Sequence, residues 1–313
     1  MDKRVIQSVF SHQYQGGIPK GEIWLGKQLF QGSSLEDNLS GHIQLRKQLG
    51  MDLLFFPISG QNAPTQNMDY RCFSLAEVKK AVEISDLFVG VIIDGPFQRM
   101  VTRHGLTTIL TGLKRHEAEI VGELKEETED VEALVSQCLE LTIDAVVIAD
   151  DIAYQHSTYM NPEDMVKLFT PLYSDLVLRV KAGGAYALFH SCGNIAMFLD
   201  QLVACGFDGL AACQGQCLDL VSIKEKYSSL TLLAGIDADL LESGSMDEMQ
   251  KREFSHRVIS LAKGGGFILA SSCGLYSRSS CQRLMELYKI ADESASRYKT
   301  GARPEKQSHP PPK

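Results

Sequence analysis

Several things are scarce in this sequence, and each absence excludes something. No apolar run approaches the roughly 18 residues that a membrane-spanning helix needs, so no membrane span is expected. Positive charge is not in excess. Thirty-one Lys and Arg stand against 39 Asp and Glu, a formal net charge of −8, whereas a general nucleic-acid binder is usually basic. The N-terminus, Met1-Asp2-Lys3-Arg4-Val5, lacks the apolar core of a signal peptide. That points to a cytoplasmic protein and favours thiols over disulfides for the eight cysteines. No glycine-rich fingerprint follows the first predicted strand, which removes the signature of a dinucleotide-binding Rossmann domain. Gly264-Gly265-Gly266 precedes a strand instead and reads as a helix stop. There is no internal repeat and no linker that would split the chain.

What is present is an alternation of apolar runs and amphipathic segments. The runs are Glu22 to Leu25 (short and weak), Asp52 to Ile58, Phe88 to Ile93, Asp144 to Ala149, Tyr186 to His190, Asp208 to Ala212, Leu230 to Gly235 and Phe267 to Ser271. Most are continuously apolar, as parallel strands covered on both faces are. Helix signals fill the gaps. Ser33 with Glu36, and Ser74 with Glu77, are spaced as capping boxes. Asn161-Pro162 reads as an N-cap followed by proline at the first helical position, and Gly183-Gly184 ends that helix. Longer helices are expected over about His116 to Leu141 and Met246 to Ala262. Eight strands with intervening helices in 313 residues predict an α/β fold, a single-domain (β/α)8 TIM barrel over residues 1–299. The polar end, 300–313, reads as a disordered tail.

In such a barrel the chemistry sits at the C-terminal ends of the strands. The third run ends in Asp94-Gly95-Pro96-Phe97-Gln98, the fourth in Asp150-Asp151 and the fifth in His190-Ser191-Cys192. The sixth leads to Cys213-Gln214, the seventh to Asp237 and the eighth to Ser272-Cys273. His190 and Cys192 are two apart at a strand end and share a face. With Cys273 on the same rim they supply one imidazole and two thiolates, the donor set of a catalytic zinc with one open position. An isolated His-x-Cys pair is more often a hydrogen-bonded histidine beside a packed thiol, and strand-end placement together with Cys273 is what favours the metal. Adjacent Asp150 and Asp151 face opposite ways, so one carboxylate reaches the cavity. The competing role for the pair is a helix cap or a loop salt bridge. Asp237 is either a rim carboxylate or a helix cap, and Gln214 either a rim group or a loop residue. Cys213 and Cys217, four apart, are a weaker second metal pair.

These residues, in this order, resemble the uroporphyrinogen decarboxylase superfamily. They are most similar to its zinc-dependent branch, the methylcobamide:coenzyme M methyltransferases and related corrinoid-linked enzymes. The stretches that carry the likeness include Gly95-Pro96-Phe97, Ala149-Asp150-Asp151-Ile152-Ala153-Tyr154, Asn161-Pro162-Glu163, His190-Ser191-Cys192-Gly193-Asn194, Gly206-Phe207-Asp208, Gly235-Ile236-Asp237 and Gly265-Gly266-Phe267. The resemblance implies a methyltransferase that moves a methyl group from a methylcobalamin-type corrinoid, carried by a corrinoid protein, to a small thiol. Zinc on His190, Cys192 and Cys273 would activate that thiol. It also implies that Asp151 and Asp237 position substrate or support a zinc ligand, with Tyr154 and Gln214 as further substrate contacts. The alternatives are a decarboxylase-like lyase and a methyltransferase with a non-thiol acceptor. The decarboxylases carry an arginine-rich motif after the first strand and an aspartate after the second, and a histidine after the last. This chain has Gly21-Glu22-Ile23-Trp24-Leu25-Gly26-Lys27, Phe55-Phe56-Pro57-Ile58-Ser59-Gly60 and Cys273.

Overall fold

The computed structural model describes residues 1–59 and 68–299. Seven parallel strands lie side by side in sequence order, each followed by helical structure. They are β1 (Leu53–Ile58), β2 (Phe88–Asp94), β3 (Ala145–Ala149), β4 (Tyr186–His190), β5 (Gly209–Cys213), β6 (Thr231–Ile236) and β7 (Phe267–Ser271). The sheet is curled and TIM-barrel-like. Alternation along each strand divides the side chains between two apolar layers. Leu53, Phe55, Phe88, Ile92, Val147, Leu188, Leu233 and Ile268 meet inside the curl. Leu54, Phe56, Val91, Ile148, Phe189 and Leu232 face out, against helix residues such as Val78, Val131, Phe169 and Val258. Burial on both faces is why the strands read as unbroken apolar runs.

The expected eighth strand does not form. Residues 19–26 run between β7 and β1 but make only isolated bridges, Lys20 with Leu269 and Leu25 with Leu275. Side chains substitute for the rest of the ladder. The Glu22 carboxylate accepts from the Ser271 amide at 3.0 Å, from the Ser271 hydroxyl, and from Tyr288 Oη at 3.2 Å. The Arg46 guanidinium donates to the carbonyls of Glu22, Ile23 (3.1 Å) and Phe55 (2.8 Å), tying the segment to β1. A polar residue at position 22 with an arginine reaching in from the helix Leu39–Gln48 breaks the strand pattern.

The opposite end of the curl is plugged. The N-terminal helix Lys3–Phe10 puts Ile6, Val9 and Phe10 into the inner layer, and the Phe10 ring stacks on Phe88 at 5.5 Å and Tyr186 at 4.4 Å. Phe88 and Tyr186 begin β2 and β4, so this helix closes the end at the strand N-termini. Two capping expectations hold: Ser74 with Glu77 forms a capping box, and Asn161 accepts from the Asp164 amide. Ser33 does not cap. Its hydroxyl closes a turn with Leu35, and Asn38 caps the following helix instead. The expected tail, 300–313, lies outside the described residues. No helix among the described residues is long and apolar enough to cross a membrane.

Candidate metal centre

Strand register assembles the site. Ala149 at the end of β3 pairs with His190 at the end of β4, and Ala149 belongs to the inner layer. Two residues further on, Asp151 and Cys192 face the same mouth. Ligand atoms of Asp151, His190 and Cys192 all lie within 4.8 Å of one another. His190 Nε2 is 3.9 Å from Cys192 Sγ and 3.7 Å from Asp151 Oδ1.

The other imidazole nitrogen sets the tautomer. His190 Nδ1 lies 2.8 Å from the carbonyl oxygen of Ala211. A carbonyl only accepts, so Nδ1 carries the proton and Nε2 keeps its lone pair toward Cys192 and Asp151. The β4–β5 ladder stops at Leu210, and the register then slips between Ala211 and Cys213, with Ala212 at φ +52°. That bulge leaves the Ala211 carbonyl for the imidazole. Bulges beside functional sites re-aim groups in this way.

The loop after β4 is clamped from three sides. Asp151 Oδ1 accepts from the Cys192 amide at 2.8 Å, and Gln214 Oε1 accepts from the Gly193 amide at 2.7 Å. The Asn194 amide donates to the Tyr154 carbonyl at 2.8 Å. Gly193 sits at φ +83°, and a Cβ there would lie 2.5 Å from the Tyr154 carbonyl oxygen. Only glycine fits both the conformation and the contact.

Cys273 is on the same rim, two residues beyond the end of β7, but outside the three-residue group. Its thiol donates to the Gly274 carbonyl at 3.4 Å, and the turn is fixed by the Gly274 amide on Ser271 Oγ at 2.9 Å. Burial, then the Asp151 carboxylate, pushes the Cys192 thiol up to about 12, with Cys217 and Cys273 adding to it. Burial and Glu22 push the Cys273 thiol up to about 11. Neither thiol ionises at neutral pH in such surroundings unless a cation joins them. One imidazole lone pair, a carboxylate and two thiols are a donor set that fits a divalent zinc-type ion.

The remaining residues have definite places. Asp150 is buried away from the mouth, accepting from Gln98 N (2.7 Å), Phe97 N (3.4 Å) and Tyr173 Oη (2.8 Å), and burial lifts its pKa to about 7. It caps the helix Pro96–His104 from a neighbouring strand, while the Asp151 side chain is 42% exposed at the mouth. Gly95 makes room for Asp150, since a Cβ there would meet its carboxylate at 2.2 Å. Gln214 is engaged in holding Gly193. Tyr154 is exposed and stacks on Tyr159 at 5.7 Å. Both oxygens of Asp237 are taken, Oδ1 by the Gly215 amide at 2.8 Å and Oδ2 by Arg257 at 3.0 Å, and its side chain makes no capping bond. Cys213 and Cys217 belong to no group of three or more ligand residues among the described residues. Sequence reasoning did not select Trp24, whose ring meets His190 edge-on at 4.7 Å, and it placed Asp94 at a strand end without giving it a role; Asp94 ends β2 on the inner face. Strand parity alone carried the signal for Asp94.

A sequence model described as "Uroporphyrinogen decarboxylase (URO-D)" matches residues 61–294. The chain belongs to the uroporphyrinogen decarboxylase family. A search of curated proteins finds no match. Among solved structures, a methyltransferase from Methanosarcina mazei superposes with a TM-score of 0.73 at 15% identity, over 93% of this chain and 98% of that one. A sugar phosphate isomerase/epimerase from Parabacteroides distasonis gives 0.55 at 13% identity, over 90% and 96%, and an L-ribulose 3-epimerase gives 0.51 at 12%, over 94% and 100%. At these identities the likenesses speak for the fold alone. Within this uroporphyrinogen decarboxylase family barrel, the guanidinium beside the segment 19–26 is Arg46, which is buried on backbone carbonyls and unavailable to a substrate carboxylate.

Proposed function

We propose that this chain is a zinc-dependent methyltransferase that moves a methyl group from a methylated corrinoid, presented by a corrinoid protein, to a small thiol. The observation that carries the reading is the free Nε2 of His190 grouped with Cys192 and Asp151, with Cys273 on the same rim. His190, Cys192 and Cys273 would hold the metal, and Asp151 is placed either to join them or to yield to substrate. Zinc bound there would supply the positive charge that keeps a thiol ionised near neutral pH. The protein's own part is orientation. The Ala211 carbonyl fixes the imidazole, Asp151 and Gln214 fix the Cys192-Gly193 backbone, and Trp24 walls the site. The thiol gives up its proton to solvent, its sulfur pair forms the new bond to carbon, and the bond between carbon and the methyl donor breaks with its electron pair left on the donor. The methyltransferase fold likeness supports this reading. Decarboxylation of a polycarboxylate needs cations to hold the acid groups, and the buried Arg46 is the guanidinium found where they are expected.

The test pairs metal analysis with a transfer assay. Purified protein should hold zinc that Cys192→Ala and Cys273→Ala each lose. Methyl transfer from free methylcobalamin to a thiol should be seen as decay of the methyl–cobalt absorbance. A folded, zinc-free protein without transfer to any thiol would contradict the proposal, and turnover of uroporphyrinogen would favour the lyase.

A further inference from the structure

The mouth over the candidate metal centre has a chemical character of its own. Asp94 ends β2 on the inner face, paired with Ala149, and its half-buried carboxylate makes no hydrogen bond or ion pair among the described residues. Burial, helped by the charge of Asp151 and opposed by that of Arg99, raises its pKa to about 6. The guanidinium that Asp94 feels, Arg99, is committed to Glu127 at 2.6 Å and Asp130 at 3.4 Å. Around the two carboxylates stand aromatic rings. Trp24, 8% exposed, lies 4.7 Å from His190 and 6.3 Å from Tyr70, and its Nε1 is buried without a partner. The Tyr70 hydroxyl feels Asp94, Asp151 and Tyr276. Tyr276 feels Cys273 and Cys192 and is pushed up to about 12, chiefly by burial. Neither phenol makes a side-chain hydrogen bond among the described residues. Two cations are near Cys72 at the edge. Arg71 is tied to Glu77 and the Asp37 carbonyl, which leaves Lys27, exposed.

A half-buried carboxylate without a partner is costly unless a ligand supplies the cation. Aromatic faces attract the same kind of ligand through their quadrupoles. We propose that this mouth selects a substrate carrying an ammonium group, an aminothiol rather than a sulfonated or carboxylate-rich thiol. Asp94 is the specificity-determining residue, and Trp24, Tyr70 and Tyr276 form the aromatic wall. The aminothiol class rests on the thiol-acceptor reading above. The selection for positive charge rests on Asp94 and the rings.

Trp24 is the only tryptophan in the chain, so its fluorescence reports directly on the mouth. Zinc-loaded protein is titrated with 2-aminoethanethiol, 2-mercaptoethanol, 2-mercaptoethanesulfonate and ethanolamine. The aminothiol should bind about tenfold more tightly than mercaptoethanol, with the sulfonate weakest. Asp94→Asn, with its fold checked by circular dichroism, should remove most of that preference. If the variant does not fold, the order within the wild-type series decides. Equal binding of the three thiols, or tightest binding of the sulfonate through Lys27, overturns the charge selection and leaves the thiol reading standing. Ethanolamine binding as tightly as the aminothiol keeps the charge selection and contradicts the thiol reading.

Discussion

The imidazole Nδ1 of His190 lies 2.8 Å from the carbonyl oxygen of Ala211, on the neighbouring strand. That bond decides which nitrogen faces the mouth. It depends on a bulge that holds Ala212 at φ +52°. Moving His190 off this carbonyl should cost metal affinity even if the ring remains. An Ala212→Pro variant cannot adopt the positive φ. It should lose zinc about 10- to 100-fold more readily in a chelator competition, the usual range for removing a ligand's supporting partner.

Gly193 should tolerate nothing larger. Gly193→Ala places a Cβ 2.5 Å from the Tyr154 carbonyl oxygen in a left-handed conformation. The cost should be about 1–3 kcal/mol in a denaturant titration, with weaker zinc retention, because Cys192 is its chain neighbour.

Gln214 should behave as a positioning residue. Gln214→Ala removes the acceptor for the Gly193 amide. Stability should fall by about 1 kcal/mol. Zinc affinity should drop while the apparent affinity for free thiol stays within about twofold once the metal is saturating. A large loss of thiol binding at saturating zinc would make Gln214 a direct substrate contact instead.

The buried Arg46, bonded to backbone carbonyls where the eighth strand was expected, should matter more than any surface ion pair. Arg46→Ala leaves the carbonyls of Glu22, Ile23 and Phe55 and the Glu22 carboxylate without their cation. Each buried carbonyl left without a donor costs about 1–3 kcal/mol, so a loss on the order of 3 kcal/mol or more should be read from urea unfolding.

Glu22 and Asp150 should each contribute a fall in stability as the pH rises from about 4 to about 7. Burial holds Glu22 and Asp150 at about 7 in the folded protein. The unfolded chain releases these protons near 4, so across this window the folded state binds more protons and loses ground as pH rises. The slope is on the order of 1 kcal/mol per pH unit for each group. Thermal unfolding of wild type and Glu22→Gln between pH 4 and 7 tests the sign, since the variant should lack the Glu22 share of the slope.

Much of this was legible in the sequence, for identifiable reasons. Strands buried on both faces advertise themselves as apolar runs, and seven were placed to within a residue or two. Two-residue parity put His190 with Cys192 and separated Asp151 from Asp150. The first segment failed because Glu22 and Arg46 act across more than twenty residues of sequence, and no local pattern announces side chains that replace a ladder. Ser33 failed because a turn at Leu35 took its hydroxyl. Trp24, Tyr70 and Tyr276 were invisible because the curl of the sheet brings them to the mouth. Asp237 read as either a rim carboxylate or a helix cap, and no local pattern announces that its oxygens hold the Gly215 amide and Arg257.

The proposed centre is a zinc ion held by one histidine and two cysteines with room for a substrate sulfur. Zinc-edge X-ray absorption on the purified protein tests it most directly, because it counts sulfur neighbours. Two sulfurs at about 2.3 Å are expected in the resting protein and a third on adding thiol. A zinc shell without sulfur, or a sulfur count unchanged by thiol, would contradict it.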